Sequence, residues 1–298
     1  MSRIVAHLIV GRNEEPFLGP LLESIADVAD SIIVNDNAPD PSPHAAVLAA
    51  SRFAREGRIA IDRTPFTSFA AARNVCMRLH EERGAGDWVA FVDADEVHGE
   101  PVLRVARNLD CVPLAYDFVD GYTWHFFQSF NWYAAIDRRM MFHRFRPGLR
   151  WEGAVHEKLA GLSGARVALP YVYGHYGHTL EPRRHAEKNQ LYASLGEPGF
   201  EILRDDQLAG FDIRAYFAPM YPELIHFGGH HPPAARETMQ RLNPRLREYH
   251  AITDRVMQSL PAGEKLRAVV RKANYDQRWR LRALNPLARR LLSPPPSP

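Results

Sequence analysis

Apolar and polar positions in the first hundred residues fall into short blocks of two alternating kinds. “RIVAHLIV”, residues 3–10, is a nearly continuous apolar run of strand length. In “EPFLGPLLESIADVA”, residues 15–29, Leu18, Leu21, Leu22, Ile25 and Val28 recur at helical spacing. The alternation continues with “SIIVND” (31–36) as a strand, “HAAVLAASRFAREG” (44–57) as a helix closed by Gly57, and “RIAID” (58–62) as a strand. “FAAARNVCMRLHEERG” (69–84) then predicts a helix closed by Gly84, and “DWVAFVDADE” (87–96) a fourth strand. Strands alternating with helices predict an α/β fold with a doubly wound, mostly parallel sheet.

Beyond residue 100 the pattern changes. “LAYDFVDGYTWHFFQSF”, “RRMMFHRF” and “ARVALPYVYGHYGH” read as strands rich in aromatic residues, so this half of the sheet is expected to be mixed or antiparallel. From Pro182, “PRRHAEKNQLYASLG” predicts a helix with proline in its first turn and Gly196 at its end. We therefore divide the chain into an α/β domain over 1–180, a helical C-terminal region over 181–290 and a disordered proline-rich tail over 291–298.

Composition narrows the class without naming it. Of 298 residues, 46% are hydrophobic and 24% charged, as in ordinary globular proteins, and the formal net charge of +2 offers no global attraction to nucleic acid. No apolar run reaches the ~18 to 20 residues of a membrane span. The short apolar segment at the N-terminus reads as a strand, and the expected location is the cytoplasm. Cys76 and Cys111 are too few for a disulfide framework or a four-thiolate zinc site.

Candidate chemistry gathers where the predicted strands end. Strand one runs into Arg12, Asn13, Glu14 and Glu15; strand two into Asn35, Asp36 and Asn37; strand three into Asp62 and Arg63; strand four into Asp93, Asp95 and Glu96. Ligands of open α/β sheets bind beyond the carboxyl ends of the strands, so four polar strand ends predict one polar crevice. Residues 93–95 read as the extended end of the fourth strand, which puts the side chains of Asp93 and Asp95 on one face, where they reach one cation together. Hard carboxylate ligands suit Mg2+ or Mn2+.

The order “LIVGRNEEPFLGPLLESI”, “DSIIVNDNAPD”, “FAAARN”, “DWVAFVDADE” resembles the family 2 glycosyltransferases of the GT-A fold, in the bacterial branch with Asn-Glu-Glu after the first strand. The resemblance covers residues 3–100 closely and continues more loosely through “WEGAVHEKL” and “YGHYGHTLEPRRHAEKNQ”. It implies an inverting transferase that moves a sugar from a nucleotide diphosphate to an acceptor. Uridine diphosphate is the first donor to expect, with guanosine and thymidine donors open. A cell-envelope glycan, a lipid-linked glycan, a peptide or a small natural product would be the acceptor.

Carried over residue by residue, the resemblance implies that Asn13, Glu14 and Glu15 line the nucleotide pocket. Asp36 would contact base or ribose, Asp62 the base, and Arg73 and Asn74 the diphosphate. Asp95 would hold the metal, with Asp93 beside it, on the ribose or on the metal through water. His175 or His178, ending the histidine-containing strand, would add a metal or pyrophosphate contact. Where the family often has Thr-Gly-Ser-Thr-Asp after the second strand, this chain has “NAPDPSP”, with Asp40 in the place of the last acid.

Inversion also needs a base opposite the leaving group. Glu157 is the candidate, with His156 beside it and Trp151 on the acceptor side; Asp117 and Asp120 are alternative bases. A phosphohydrolase using Asp93 as nucleophile is the second enzymatic reading, and a non-catalytic nucleotide-sugar or glycan binder a third. Residues 264–292 hold nine Lys or Arg against Glu264 and Asp276, with Val269, Val270, Trp279, Leu281, Leu284 and Leu287 interspersed. Such a stretch can lie on an anionic membrane surface. A helix whose apolar side packs on the catalytic core is the preferred reading of the two.

Overall fold

The computed structural model describes residues 2–13, 15–84, 86–198, 212–242 and 244–294. The predicted alternation is observed: β1 (Ile4–Val10), α1 (Leu18–Ile25), β2 (Ser31–Asp36), α2 (Ala45–Ala50), α3 (Arg52–Arg55), β3 (Ile59–Asp62), α4 (Phe69–Arg83) and β4 (Trp88–Phe91). Next come β5 (Glu96–Val97), α5 (Pro101–Arg107), β6 (Tyr116–Phe127), β7 (Trp132–Arg144), β8 (Arg150–Glu152), β9 (Lys158–Ala160) and β10 (Ala165–His178). The C-terminal elements are α6 (Pro182–Ser194), α7 (Ile213–Phe217), β11 (Ile225–His226), α8 (Pro233–Gln240), α9 (Pro244–Ser259), α10 (Ala262–Arg280) and α11 (Pro286–Leu292).

The main sheet has the order β3-β2-β1-β4-β7-β6-β10-β5, with β11 beside β7, and β8 and β9 form a separate hairpin. β1 to β4 run parallel; β7 enters antiparallel to β4 and β6, and β10 returns parallel to β6. β1 is buried along almost its whole length because helices cover both faces of the parallel half, which is why its sequence reads as apolar but for His7. On α1, Leu18, Leu21, Leu22 and Ile25 form the buried stripe. α4 starts where the Ser68 side chain accepts from the Ala71 amide and ends at Gly84 in the left-handed conformation, φ 57°.

Four expectations are corrected. The helix predicted over 44–57 breaks at Ser51, whose extended backbone (ψ 155°) ends α2 and whose hydroxyl caps α3. The fourth strand stops at Phe91, and residues 93–96 form a turn closed by the Glu96 amide on the Asp93 carbonyl, 3.1 Å. Asp93 and Asp95 therefore do not share a strand face; the turn, not the pleat, sets their directions. The proline-rich tail begins later than residue 291, because α11 runs to Leu292 and buries Leu291; residues 295–298 lie outside the described residues. Finally, Ala288 and Leu291 of α11 join the same core as β1 and α1, so the change of element type near residue 181 does not separate two cores.

Across the mixed half, Asp120 on β6 is fully buried and accepts from Arg138 Nε on β7 (2.7 Å) and from Arg166 Nε and Nη2 on β10 (2.9 and 2.8 Å). One carboxylate thus ties three strands and leaves two guanidiniums uncompensated if it is lost. Asp120→Ala is expected to destabilise the protein by about 2–3 kcal/mol in urea unfolding. An unchanged midpoint would show that the arginines find other partners.

Candidate active site

The strand ends, the β8–β9 hairpin and α6 enclose one large cleft. Asn13, Glu15, Arg73, Asp93, Asp95, Trp151, His156, Glu157 and His175, all predicted site residues, line it. Its organising group is Arg73, which α4 delivers into the interior with only 2% of its surface exposed. Arg73 Nη2 donates to Asp93 Oδ1, Nη1 to the Val92 carbonyl (3.2 Å) and Nε to Glu157 Oε1 (3.3 Å). Its guanidinium also lies 4.1 Å from the centre of the Phe91 ring.

The neighbouring residue fixes the other wall. Asn74 Nδ2 donates to the Trp151 carbonyl (2.9 Å) while its Oδ1 accepts from the Trp151 amide (2.8 Å). This two-point clamp holds β8 against α4 and so positions the hairpin that carries Glu157. Asn74 is outside the cleft lining, since its amide is fully used on backbone. Trp151 is 6% exposed and packs beside Phe91, with ring centres 5.1 Å apart. His156 is exposed and adopts the left-handed backbone, φ 52°, uncommon for a residue with a side chain.

The three acids of the turn have different surroundings. Burial alone would raise Asp93, but Arg73 and Arg139, whose Nη2 sits 2.5 Å from Asp93 Oδ2, outweigh it and hold this carboxyl well below the usual range. Asp95 is raised by burial and by the charge of Asp93, with Lys188 pulling the other way. Burial pushes Glu96 up to about 8; Arg139 opposes this, and Asp93 and Asp95 add to it. His175 Nε2 lies 3.3 Å from Asp95 Oδ2, and burial drives this imidazole to the neutral form. His178 is likewise neutral by burial and stands beside His175, ring centres 5.3 Å apart, outside the cleft lining.

Other predicted residues take supporting places. Asp36 is buried behind Arg63, which bonds it through Nη1 and reaches Asp40 with Nη2 at 2.5 Å. Asp62 accepts from the Thr64 amide (2.7 Å) and faces Arg78 (3.5 Å), away from the cleft lining. Glu14 lies outside the described residues. The alternative bases are engaged: Asp117 accepts from Arg146 (2.7 Å) and the Gly164 amide (2.7 Å), and Asp120 from its two arginines.

Arg63, Arg139 and Lys188 line the cleft but were not singled out from the sequence as its cations. A signal existed for two of them. “RRMMFHR” places arginine in the middle of a strand, where a buried cation requires an acid partner. On α6, Arg184, Lys188 and Leu191 recur at helical spacing and all face the cleft. Lys188 stays protonated despite burial, because Tyr192, Asp95, Asp93 and Glu15 together outweigh desolvation.

The donor set fits a divalent cation. Both oxygens of Asp93 lie on guanidiniums, whereas the Asp95 carboxylate is the hard oxygen donor that suits Mn2+ or Mg2+, with the neutral His175 imidazole beside it as a softer donor. In chemical terms the cleft offers a carboxylate and imidazole pair that could hold a cation, a bank of guanidinium and ammonium groups, and the Glu157 carboxylate, held by a single contact on Oε1.

The sequence model of glycosyl transferase family 2 matches residues 8–169, more than half of the chain. No curated protein matches it. Among solved structures, the mannosyltransferase PcManGT from Pyrobaculum calidifontis, in complex with GDP-Man and Mn2+, is similar over 98% of this chain and 85% of its own, at 15% identity and TM-score 0.44. TarS from S. aureus, residues 1–349, is similar over 86% of this chain and 90% of its own, at 12% identity and TM-score 0.36. Glucosyl-3-phosphoglycerate synthase from Mycobacterium tuberculosis, in complex with Mg2+ and uridine-diphosphate, is similar over 41% of this chain and 44% of its own, at 17% identity and TM-score 0.28.

The glycines of “GHYGH” have a steric reason. A Cβ on Gly177 would fall on Asp95 Oδ2 and 3.3 Å from the His175 ring. Gly177→Ala is therefore expected to leave the fold intact, judged by circular dichroism, and to weaken manganese binding roughly tenfold or more, as displaced metal-site groups do. Wild-type manganese affinity in that variant would show that Asp95 is not a ligand.

Proposed function

The chain belongs to glycosyl transferase family 2, and from that premise we propose that this glycosyltransferase is metal-dependent and inverting, moving a sugar from a nucleoside-diphosphate donor to an acceptor hydroxyl. The observation that carries the reading is the double grip of Arg73, which holds Asp93 of the acidic turn and Glu157 of the hairpin on one guanidinium. The acidic turn and the base are thereby kept within one side chain's reach of each other.

Asp95 and His175 are the residues that would hold Mn2+ or Mg2+, with Asp93 reaching it through water. Such an ion supplies neutralisation of the charge that grows on a departing diphosphate. Lys188 and Arg139 offer fixed positive charge to the same oxygens without reorganisation. Asn13, Glu15 and the Arg63–Asp36–Asp40 assembly form the nucleoside end of the cleft. Uridine diphosphate remains the first donor to test, alongside guanosine diphosphate, which PcManGT binds as GDP-Man.

Glu157 is the base. Arg73 engages Oε1 and orients the carboxylate, leaving Oε2 to accept the proton of an acceptor hydroxyl. His156 and Trp151 stand beside it on the acceptor side. Asp93 does not serve as a phosphohydrolase nucleophile, since each of its oxygens is held by an arginine.

Two variants test the assignment. Calorimetry with uridine, guanosine and thymidine diphosphates should show manganese-dependent binding of one base over the others. Asp95→Ala should weaken that binding by more than the roughly 10–100-fold that loss of an outer partner costs. Unaltered affinity would remove the metal assignment. Glu157→Gln should keep nucleotide binding and slow turnover of the nucleotide sugar by roughly 10²–10⁴-fold. Full turnover would move the base to another acid.

A further inference from the structure

We propose that the outward face of α10, with the turn that follows it, is a docking surface for an anionic lipid bilayer. The helix rests on the protein by one side only. Tyr275 and Trp279 pack against the cluster that contains Tyr122 and Tyr133. The Tyr122 hydroxyl donates to the Arg278 carbonyl (3.4 Å) and accepts from Arg282 Nε (3.1 Å). The opposite side carries Leu266, Val269 and Val270, 65%, 63% and 56% exposed, and continues into Leu281 and Leu284 at 60% and 70%.

These positions are ordered, not scattered. Leu266, Val270, Ala273 and Gln277 follow at i, i+4, i+7 and i+11, one row along the helix. Single exposed aliphatic residues are ordinary, but Leu266, Val269 and Val270 grouped on one outward side, followed by Leu281 and Leu284, mark an interaction surface. At about 100° per residue, Lys265 and Lys272 fall along one border of the row and Arg267 and Arg278 along the other. The 19 residues of α10 are about 28 Å long; apolar side chains crest its first half, Leu266 to Ala273, and resume at Leu281 and Leu284 in the turn that follows, with cations on the flanks.

Charge selects the occupant. Residues 264–292 carry nine Lys or Arg against two acids, and Lys265, Arg278 and Arg282 pair with no described carboxylate. A second copy would bring an equally basic ridge against this one, and like charges would meet across the contact. A bilayer with anionic headgroups meets both features at once: acyl chains take the crest and phosphates take the flanks. Among the described residues no helix is long and apolar enough to cross a membrane, so the contact is one of lying on the surface.

The test is sedimentation of the full chain with phosphatidylcholine vesicles, with and without phosphatidylglycerol, at low and high salt. Binding is expected only with phosphatidylglycerol and is expected to weaken with salt. Leu266→Glu combined with Val270→Glu and Leu284→Glu, all exposed positions, should lower that binding roughly tenfold or more. Lys265→Glu with Arg278→Glu should also reduce it, and both variants should keep the nucleotide affinity of the parent, so the result is independent of the catalytic assignment. No pelleting, equal pelleting with pure phosphatidylcholine, or undiminished pelleting of the glutamate variant overturns the proposal. A concentration-dependent dimer that the glutamate variant abolishes assigns the ridge to a second copy and overturns it as well.

Discussion

The buried guanidinium of Arg73 is the constraint around which the cleft is arranged. An ionised arginine with 2% exposure is tolerable in a protein interior only when its charge and its donors are matched. Here the matching groups come from separate stretches of chain: the Phe91 ring and Val92 carbonyl at the end of β4, the Asp93 carboxylate in the acidic turn, and Glu157 in the β8–β9 hairpin. Neutralising one cation therefore docks α4, the strand end and the hairpin together. Asn74 reinforces the arrangement from the next position on the helix, because its amide satisfies both backbone groups of Trp151.

That arrangement distributes charge unevenly, and the imbalance is chemically useful. Two arginines stabilise Asp93 as a carboxylate, so the negative charge it keeps adds to the burial that opposes ionisation of Asp95 and Glu96. A further positive charge beside Asp95 would favour its carboxylate form. The adjacent histidines do not supply one, since burial keeps His175 and His178 neutral and lowers His185 to about 4. Lys188 and Arg139 draw Asp95 down without overcoming burial. A divalent ion beside Asp95 would invert this local balance, and the neutral His175 imidazole next to it adds no opposing positive charge.

Much of the fold was legible because its signals are local. The nearly continuous apolar run of β1, the stripe of α1 and the Ser68 and Gly84 ends of α4 all follow from near neighbours in sequence. The acidic turn was legible as chemistry but not as shape: nothing in “FVDADE” announces that the strand ends at Phe91. The turn is fixed by the Asp93–Glu96 backbone bond and by arginines that arrive from elsewhere. Arg139 reaches Asp93 only because β7 is inserted beside β4, a pairing between strands far apart in the chain. Lys188 depends similarly on where α6 returns. Arg63 over Asp36 escaped notice because an arginine at one strand end covering an acid at another is a property of the β2–β3 pair, not of either segment alone.

The C-terminal helices show the same limit from the other side. α10 and α11 have one kind of sequence, basic with interspersed aliphatics, yet they meet the protein differently. α11 places Ala288 and Leu291 in the main core, while α10 buries no residue fully, and together with the turn that follows it presents five large aliphatic side chains to water. Each such side chain forgoes up to about 1.5–3 kcal/mol of burial. Packing on the sheet cannot recover it, because Tyr275, Asp276 and Trp279 already occupy the inner face and Lys272 and Arg280 are turned toward Asp276. Rotating the helix to cover Val269 and Val270 would expose the two aromatic rings and carry Asp276 and its cations toward the apolar surface of the sheet. The exposed row is thus the stable orientation for the isolated chain, and a second surface that is apolar beneath and anionic above is what completes its burial.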